Sequence, residues 1–479
     1  MVIKNVIIPG ITDIILNFVN VNDIVNFIYV FPHVKEYVFN NLKFEIKICD
    51  PTYGDMLMKY FNKVKIYQKP LNNKKLTISL VDLDLSNNVT ISNDDILQLK
   101  NITSLNLCMN DSITNEGILN MSKLENLNLQ SNNKITDDGI NKLTNIKTLN
   151  LRNNRVITDN ALKKLINLTS LNIRYNEIIT DDGIQFMTNL NSLNLKLNKL
   201  ITNDGIKNLS KLRSLNLNFN INILDLEQLT DLTDLSLGCN KLITNNVLKK
   251  LTNIETLSVY SNNMINDEGL FALTKINNLD LESNNNITNE IFDRLTQITS
   301  LNLYSNTNIT NEGLKKLTKL ASLSLDHNNV ITNEGLEELS HLTILNLKQN
   351  KIITDDALKY LTSLRDLDLY NNRVITDNGL INLTNLISLN LKGNNIISGL
   401  GLKNLTKLRS LDLGYNMQIN DDVLINLRYL TYLNIYSNVV ITGEIMTKLK
   451  KITELVNNNK LEHNVETYLL KKGVYIHGQ

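Results

Sequence analysis

The chain has 479 residues, with 49 Lys and Arg against 48 Asp and Glu, so its formal net charge is +1. A nearly neutral chain has no overall field to attract nucleic acid, and composition therefore argues against a general nucleic-acid-binding protein. The three cysteines, Cys49, Cys108 and Cys239, are odd in number and far apart. This pattern argues against a disulfide framework and predicts small thiols that are buried or half-buried.

The N-terminal stretch MVIKNVIIPGITDIILNFV is apolar but is interrupted by Pro9, Gly10 and Asp13. It is too short for a membrane span and has no clear signal-peptide cleavage site. We therefore expect an intracellular, cytoplasmic protein that does not associate with membranes.

Residues 1–40 are predicted to form a small helical module. Apolar side chains follow helical spacing at residues 14–19, 24–28 and 34–38, and Asn22 or Asp23 can cap the second segment. A module of this size has a thin core, so we expect it to pack on the rest of the chain or on a partner.

The run Ile15-Leu16-Asn17-Phe18-Val19-Asn20-Val21-Asn22-Asp23-Ile24, followed by Val30, resembles the F-box motif. The F-box motif commonly opens with Leu-Pro, and here Ile8-Pro9 lies one residue from the position expected for that pair. The usual acidic residue after the Pro is absent, with Gly10 near its place, and the usual Trp at the end of the motif is Val34. The resemblance implies docking on a Skp-type adaptor through Pro9, Ile15, Phe18, Val19, Ile24, Phe27 and Val30. The alternative is an N-terminal cap that only shields the first coil of the repeat array.

Residues 41–79 are interpreted as a junction. Alternating apolar residues at 44–48 and 64–67 predict two short strands, with a helix at 56–61 between them. We interpret the second strand as an imperfect repeat that covers the edge of a sheet.

From residue 80 to about 451 the chain repeats a frame of 22 residues, seen as LTSLNIRYNEIITDDGIQFMTN at residues 168–189. One Asn marks the phase of each copy, and an Ile follows it three residues later in all 17 copies. Successive marker Asn residues are 22 apart, except Asn220 and Asn240, which are 20 apart. The markers are Asn88, Asn110, Asn132, Asn154, Asn176, Asn198, Asn220, Asn240, Asn262, Asn284, Asn306, Asn328, Asn350, Asn372, Asn394, Asn416 and Asn438.

Each copy predicts a strand, a turn and a short helix. The alternation of Leu171, Asn172 and Ile173 indicates a strand with one buried face, and neighbouring copies are expected to pair in parallel. The marker Asn can donate and accept together, so a column of such residues can join one coil to the next. The fourth residue after it is Ser, Thr or Asn in 16 copies, which predicts a helix N-cap followed by acids. Gly occupies the seventh position nine times and Ala161 and Ala357 replace it elsewhere, which indicates a need for small size.

The frame L-x-x-L-x-L-x-x-N with this period resembles leucine-rich repeat proteins. The resemblance implies an α/β, right-handed solenoid with a parallel concave sheet and short convex helices. The motif at residues 375–384, ITDNGLINLT, together with the N-terminal run, resembles F-box/leucine-rich repeat proteins, which are substrate receptors of SCF-type ubiquitin ligases. The repeat length is closer to that of internalins, but the missing signal peptide argues against a secreted adhesin. The richness in Asn, Ile and Lys suggests that the protein comes from a protist or a large DNA virus. If it is viral, we expect it in the cytoplasm of the host cell.

The concave face offers the candidate binding residues. The column four residues before each marker Asn is Asn, Asp or Ser in all 17 copies, which indicates a structural role. The residues two and one before the marker, here called the −2 column and the −1 column, vary widely. They carry Arg152, Arg174 and Lys196 with Tyr175, Leu197 and Phe219, and further on Tyr260, Tyr304, Tyr370 and Tyr436. We predict that they bind a protein target. The alternative is that the basic chains extend into water and the aromatic rings pack on neighbouring coils.

No motif in the sequence predicts catalysis. The five His show no metal-ligand spacing, and neither a Gly-rich phosphate loop nor a Gly-x-Ser-x-Gly motif is present. We therefore expect a monomeric, non-enzymatic protein without cofactor or metal. Its predicted organisation is 1–40 helical module, 41–79 junction, 80–451 array and 452–479 C-terminal cap, with a helix over 465–472 and a strand at 474–476.

Overall fold

The computed structural model describes residues 46–48, 63–66, 80–458, 462–472 and 474–477. The chain divides into two compact units, Met1–Leu232 and Thr233–Gln479. The predicted N-terminal helical module and the helix predicted at 56–61 lie outside the described residues.

Unit 1 builds a parallel sheet in which strands pair in chain order. Between Asp82 and Asn216 the paired residues are 22 apart, as Leu171 with Leu193. The strands predicted in the junction are both formed, at Ile46–Ile48 and Lys63–Ile66; they pair with each other, and the second also pairs with Asp82–Asp84. The strands in the described part of this unit are β1 Ile46–Ile48, β2 Lys63–Ile66, β3 Asp82–Asp84, β4 Ser104–Asn106, β5 Asn126–Asn128, β6 Thr148–Asn150, β7 Ser170–Asn172, β8 Ser192–Asn194 and β9 Ser214–Asn216.

The helices in the described part of unit 1 are single turns of four residues, at the short end of the predicted one to two turns. They are Asn93–Ile96, Asn115–Ile118, Asp137–Ile140, Asp159–Leu162, Asp181–Ile184 and Asn203–Ile206. The short copy marked by Asn220 contains no helix between its marker and Leu232. Its two missing residues are therefore lost from the helical half.

Unit 2 repeats the same arrangement. Its strands are β10 Asp234–Ser236, β11 Thr256–Ser258, β12 Asn278–Asp280, β13 Ser300–Asn302, β14 Ser322–Ser324, β15 Ile344–Asn346, β16 Asp366–Asp368, β17 Ser388–Asn390, β18 Ser410–Asp412, β19 Tyr432–Asn434, β20 Glu454–Val456 and β21 Tyr475–His477. Parallel pairing continues past residue 451, because Glu454 pairs with both Tyr432 and Tyr475.

The α-helices of unit 2 are also mostly single turns, and two copies form 3₁₀ turns at Asn289–Asp293 and Asn333–Gly335. The last helix, His463–Lys471, is longer and lies close to the helix predicted over 465–472. The α-helices are Asn245–Leu248, Asp267–Leu270, Asn311–Leu314, Asp355–Leu358, Asp377–Leu380, Gly399–Leu402, Asp421–Leu424, Gly443–Lys448 and His463–Lys471.

The core of each unit is a column of aliphatic side chains from successive copies. In the copy that begins at residue 168, six apolar side chains are buried, and each stabilises the fold by roughly 1.5–3 kcal/mol relative to an exposed position. They are Leu168, Leu171, Ile173, Ile179, Ile184 and Met187. The hydrophobic positions of the frame are therefore the core positions, as the period predicts.

The marker Asn residues bridge neighbouring coils as predicted. Asn154 is fully buried, and its side-chain NH₂ donates to the carbonyls of Leu129 and Asn132 in the preceding copy, at 3.1 and 2.8 Å. Its Oδ1 accepts from the backbone N–H groups of Val156 and Ile157 in its own turn. Asn132 and Asn176 make the equivalent bonds. A single amide thus satisfies four buried backbone groups, which an ionised Asp cannot do.

A second hydrogen-bonded column runs through the helix starts. Thr158 adopts the extended N-cap conformation, but its hydroxyl and its N–H also donate to the carboxylate of Asp137 in the preceding copy, at 2.5 and 2.8 Å. In some copies an Asn takes the place of this Asp. Its NH₂ then donates to the Thr hydroxyl of the next copy, as Asn115 does to Thr136. The acids predicted to serve capping therefore also join one coil to the next.

The seventh position is filled by glycine in nine copies because this second hydrogen-bonded column leaves little space beside it. A Cβ placed on Gly183 would lie 2.3 Å from Oδ1 of Asp159. Gly183 does not have a positive φ, so the site requires a small residue and not the backbone freedom of glycine. This agrees with the prediction from Ala161 and Ala357.

Candidate functional site

The −2 and −1 columns lie where each strand leaves the sheet. In every strand from β3 to β9, the middle residue is buried and the last residue is half-buried, so the last residue lies on the exposed face of the sheet, here called the sheet face. Oδ1 of Asn172 accepts the backbone N–H of Arg174 at 3.0 Å, and Asn194 holds Lys196 in the same way. The invariant polar column is therefore structural, as predicted, because it fixes the turn that presents the −2 residue.

The −1 residue is left-handed in all 17 copies, with φ between 47° and 67°. Sequence reasoning missed this because the column contains Tyr, Leu, Phe, Met, Ser and His as well as Asn and Gly. The backbone requires the turn, since the N–H of Tyr175 donates to the carbonyl of Lys196 in the next copy. A bulky residue at positive φ costs about 1–2 kcal/mol. Tyr175, Leu197 and Phe219 bear this cost at φ of 55°, 57° and 58°.

In unit 1 the predicted basic and aromatic residues come together on consecutive strands. The guanidinium of Arg174 lies 5.6 Å from the centroid of the Tyr175 ring, and Nζ of Lys196 lies 5.7 Å from that of Phe219. Tyr175 and Phe219 are exposed, whereas Arg152 and Arg174 are half-buried. Nε of Arg174 is buried and has no hydrogen-bond partner. We call Arg152, Arg174, Tyr175, Lys196 and Phe219 the basic–aromatic surface.

In unit 2 the four predicted tyrosines have different surroundings. A Cβ added to Gly238 would overlap the ring of Tyr260, so that ring lies directly over the glycine. Tyr304 meets His327 edge to face, with ring centroids 5.3 Å apart. These two rings pack on neighbouring coils, which is the alternative that the sequence left open for them.

The other two tyrosines of unit 2 belong to a chain of cation–π and aromatic contacts. Nζ of Lys348 and Nζ of Lys392 lie 5.3 and 5.9 Å from the centroid of Tyr370. Lys392 also lies 5.9 Å from the ring of Tyr415, whose centroid is 5.6 Å from that of Tyr436. Each such cation–π contact contributes about 0.5–1 kcal/mol at an exposed site.

Sequence reasoning missed a charged cluster in the same columns of unit 2. Asp326 is buried in the −2 column, where its carboxylate contacts Nδ1 of His327 at 2.5 Å and Nζ of Lys348 at 3.5 Å. The signal was present, because Asp326 and Lys348 are 22 residues apart and therefore adjacent in one column.

Two carboxyl groups beside this cluster have raised pKa values. Burial raises the pKa of Glu282, the charges of Asp280 and Asp326 raise it further, and a hydrogen bond from Asn302 opposes the shift. Burial likewise raises the pKa of Asp368, whereas the N–H of Tyr370 and the charge of Lys348 lower it.

Metal sites, membrane spans and disulfide bonds in the described residues would suggest other functions. No group of three or more His, Cys, Asp or Glu in these residues can hold a metal ion. No helix in the part of the chain that the structure describes is long and apolar enough to cross a membrane. Cys108 and Cys239 are half-buried, as predicted, while Cys49 lies outside the described residues. The adaptor-binding residues predicted between Pro9 and Val30 also lie outside them.

Nine segments of the chain match the family model described as leucine-rich repeat. They are residues 120–143, 142–166, 164–187, 186–210, 250–274, 295–318, 316–340, 338–361 and 360–383. No curated protein sequence matches the chain.

Several solved structures are similar to this chain. The structure of the TLR13–ssRNA13 complex is 23% identical, covers 81% of this chain and 68% of its own, and has a TM-score of 0.54. An internalin from Listeria monocytogenes is 27% identical, with 61% and 84% covered and a TM-score of 0.39. A leucine-rich repeat protein from Leptospira interrogans is 25% identical, with 86% and 100% covered and a TM-score of 0.39. The first of these supports the fold alone. Taken with the parallel sheet, the short helices and the nine matched segments, it leads to one conclusion: this chain has the leucine-rich repeat fold.

Proposed function

We propose that this protein recognises a protein partner through the −2 and −1 columns of its sheet face. Leucine-rich repeat proteins bind protein partners. The observation that carries the proposal is the separation of roles within each copy. The marker Asn and the invariant polar residue hold the backbone, so the residues of the −2 and −1 columns are free to vary and present aromatic and charged side chains. Rigid presentation of such residues is typical of binding surfaces.

We extend this proposal to a substrate receptor of an SCF-type ubiquitin ligase that acts in the cytoplasm. Residues 1–40 would dock on a Skp-type adaptor, and the sheet face would hold the target. Support comes from the F-box-like run that contains Phe18 and Ile24 and precedes the repeats.

The competing function is a leucine-rich repeat recognition protein with no ubiquitin role, whose residues 1–40 are a structural cap. The same apolar spacing can cover the first coil of the array, because the ends of a solenoid need shielding. The two functions differ in what the apolar side chains of this segment contact.

The test uses the full chain and a purified Skp-type adaptor, with the dissociation constant measured by calorimetry. We expect micromolar or tighter binding, lost in the double variant Phe18→Asp and Ile24→Asp. The matched control, Asn17→Asp and Asn20→Asp, adds the same charge at polar positions of the same segment and should keep binding. Absence of binding by the unmodified chain, or equal binding by both variants, would contradict the adaptor proposal. A lowered melting temperature in the first variant without adaptor binding in any variant would favour the cap.

A further inference from the structure

On the sheet face of unit 1, the copies marked by Asn110 to Asn220 carry positive but no negative side chains in the columns that point outward. Their residues lie at the first and last strand positions and in the −2 and −1 columns of the copies marked by Asn110 to Asn220. Among them Arg152, Arg174 and Lys196 are cations, and none is Asp or Glu. Adjacent parallel strands are about 4.8 Å apart, so cations on consecutive strands repel one another. An anionic ligand relieves this repulsion.

Arg174 is the central cation of this surface, and its guanidinium is held 5.6 Å from the centroid of the exposed Tyr175 ring. A guanidinium can donate two parallel N–H bonds to a carboxylate, which makes a carboxylate a well-matched partner. The charge of the three cations and the position of Arg174 beside an aromatic ring therefore both favour a carboxylate ligand.

The apolar part of the surface indicates what accompanies the acid. The exposed Tyr175 and Phe219 rings and the half-buried Leu197 occupy left-handed positions that Asn or Gly would adopt at lower cost. Large aromatic side chains that persist at such positions are typical anchors of protein interfaces. The ligand is therefore expected to combine carboxylates with apolar side chains.

We propose that the basic–aromatic surface binds an acidic peptide segment of the protein partner, with a Glu or Asp carboxylate on Arg174 and an apolar side chain between Tyr175 and Phe219. The inference rests on the proposed recognition function and names the chemical class of its target. A peptide is favoured over single-stranded RNA, because RNA binding needs a longer basic groove that follows the phosphate backbone. Three cations on a chain of net charge +1 do not provide one.

The test measures fluorescence anisotropy of the full chain with a labelled peptide that has Glu at alternate positions and Phe or Leu between them. The comparison peptide has Gln in place of every Glu. We expect the acidic peptide to bind at least tenfold more tightly than the Gln peptide. This comparison needs no protein variant, so it stands even if a variant fails to fold.

The first protein variant is Arg152→Gln, Arg174→Gln and Lys196→Gln, and we expect it to lose binding at least tenfold. The matched control is Arg155→Gln, Lys164→Gln and Lys199→Gln, which removes the same charge from exposed residues of the two copies that contain Arg152 and Lys196. The control should bind like the unmodified chain. Equal loss in both variants, equal binding of the two peptides, or binding of single-stranded RNA in preference to the acidic peptide would overturn the inference. The adaptor assay depends on residues 1–40, so adaptor binding without peptide binding would leave the ubiquitin proposal standing.

Discussion

Thr180 donates both its backbone N–H and its hydroxyl to the carboxylate of Asp159, at 2.9 and 2.6 Å. The two residues are 21 apart in sequence and belong to successive copies. A pattern that looks like simple helix capping therefore also joins the helical sides of neighbouring coils. Thr180 makes no side-chain hydrogen bond to its own helix, so its hydroxyl serves the contact between copies.

Replacing Thr180 by Val should lower the free energy of unfolding by about 1–2 kcal/mol, because Val keeps the shape but loses a hydroxyl bonded to a carboxylate. Urea unfolding followed by circular dichroism measures the change. Thr188→Val is the control, since Thr188 is exposed. A similar loss in both variants would show that the bond to Asp159 contributes nothing.

Replacing Asn132 by Ala should lower the free energy of unfolding by about 2–4 kcal/mol, because the buried amide serves four backbone groups and each bond contributes about 0.5–1.5 kcal/mol. The adjacent Asn133 is exposed, so Asn133→Ala should change stability by less than about 0.5 kcal/mol. Urea unfolding distinguishes the two. If Asn132→Ala is as mild as Asn133→Ala, the amide column does not stabilise the stack.

Replacing Tyr175 by Asn should keep or raise stability, by up to about 1 kcal/mol, because Asn tolerates positive φ better than an aromatic residue. Asn153 already occupies the equivalent position in the preceding copy, at φ 50°. The same variant should weaken binding of the acidic peptide. Melting temperature and anisotropy are measured on one preparation, and a marked fall in stability would refute the left-handed strain argument.

Replacing Glu282 by Gln should raise the melting temperature at pH 7 and have little effect near pH 4. Burial and the charges of Asp280 and Asp326 raise the pKa of Glu282, so the folded state binds this proton more tightly than the unfolded state does. Stability therefore falls as pH rises from the ordinary Glu pKa through the raised value, and Gln removes that loss. Melting curves at both pH values test the prediction, with exposed Glu255→Gln as control. An equal effect at both pH values would exclude ionisation as the cause.

The sequence was sufficient to predict the repeating strand, turn and helix and the role of Asn154, because those features recur at a fixed spacing and serve the backbone. The left-handed turn at Tyr175 was harder to predict, because the column tolerates many side chains and only a few, such as Asn87, Asn371 and Gly393, reveal the backbone requirement. The contact of Lys196 with Phe219 depends on where two long side chains settle across adjacent strands. Spacing alone does not determine that.

The register of the hydrogen bonds has a consequence for how such a chain can change in length. In the regular part of the array, the bonds between copies join residues 20 to 25 apart, as Asn154 to Leu129 and Thr180 to Asp159. Duplicating or deleting a whole 22-residue block gives every donor an equivalent new acceptor. Recombination within the gene can therefore add or remove exposed positions such as that of Tyr175 without disturbing the backbone that carries them.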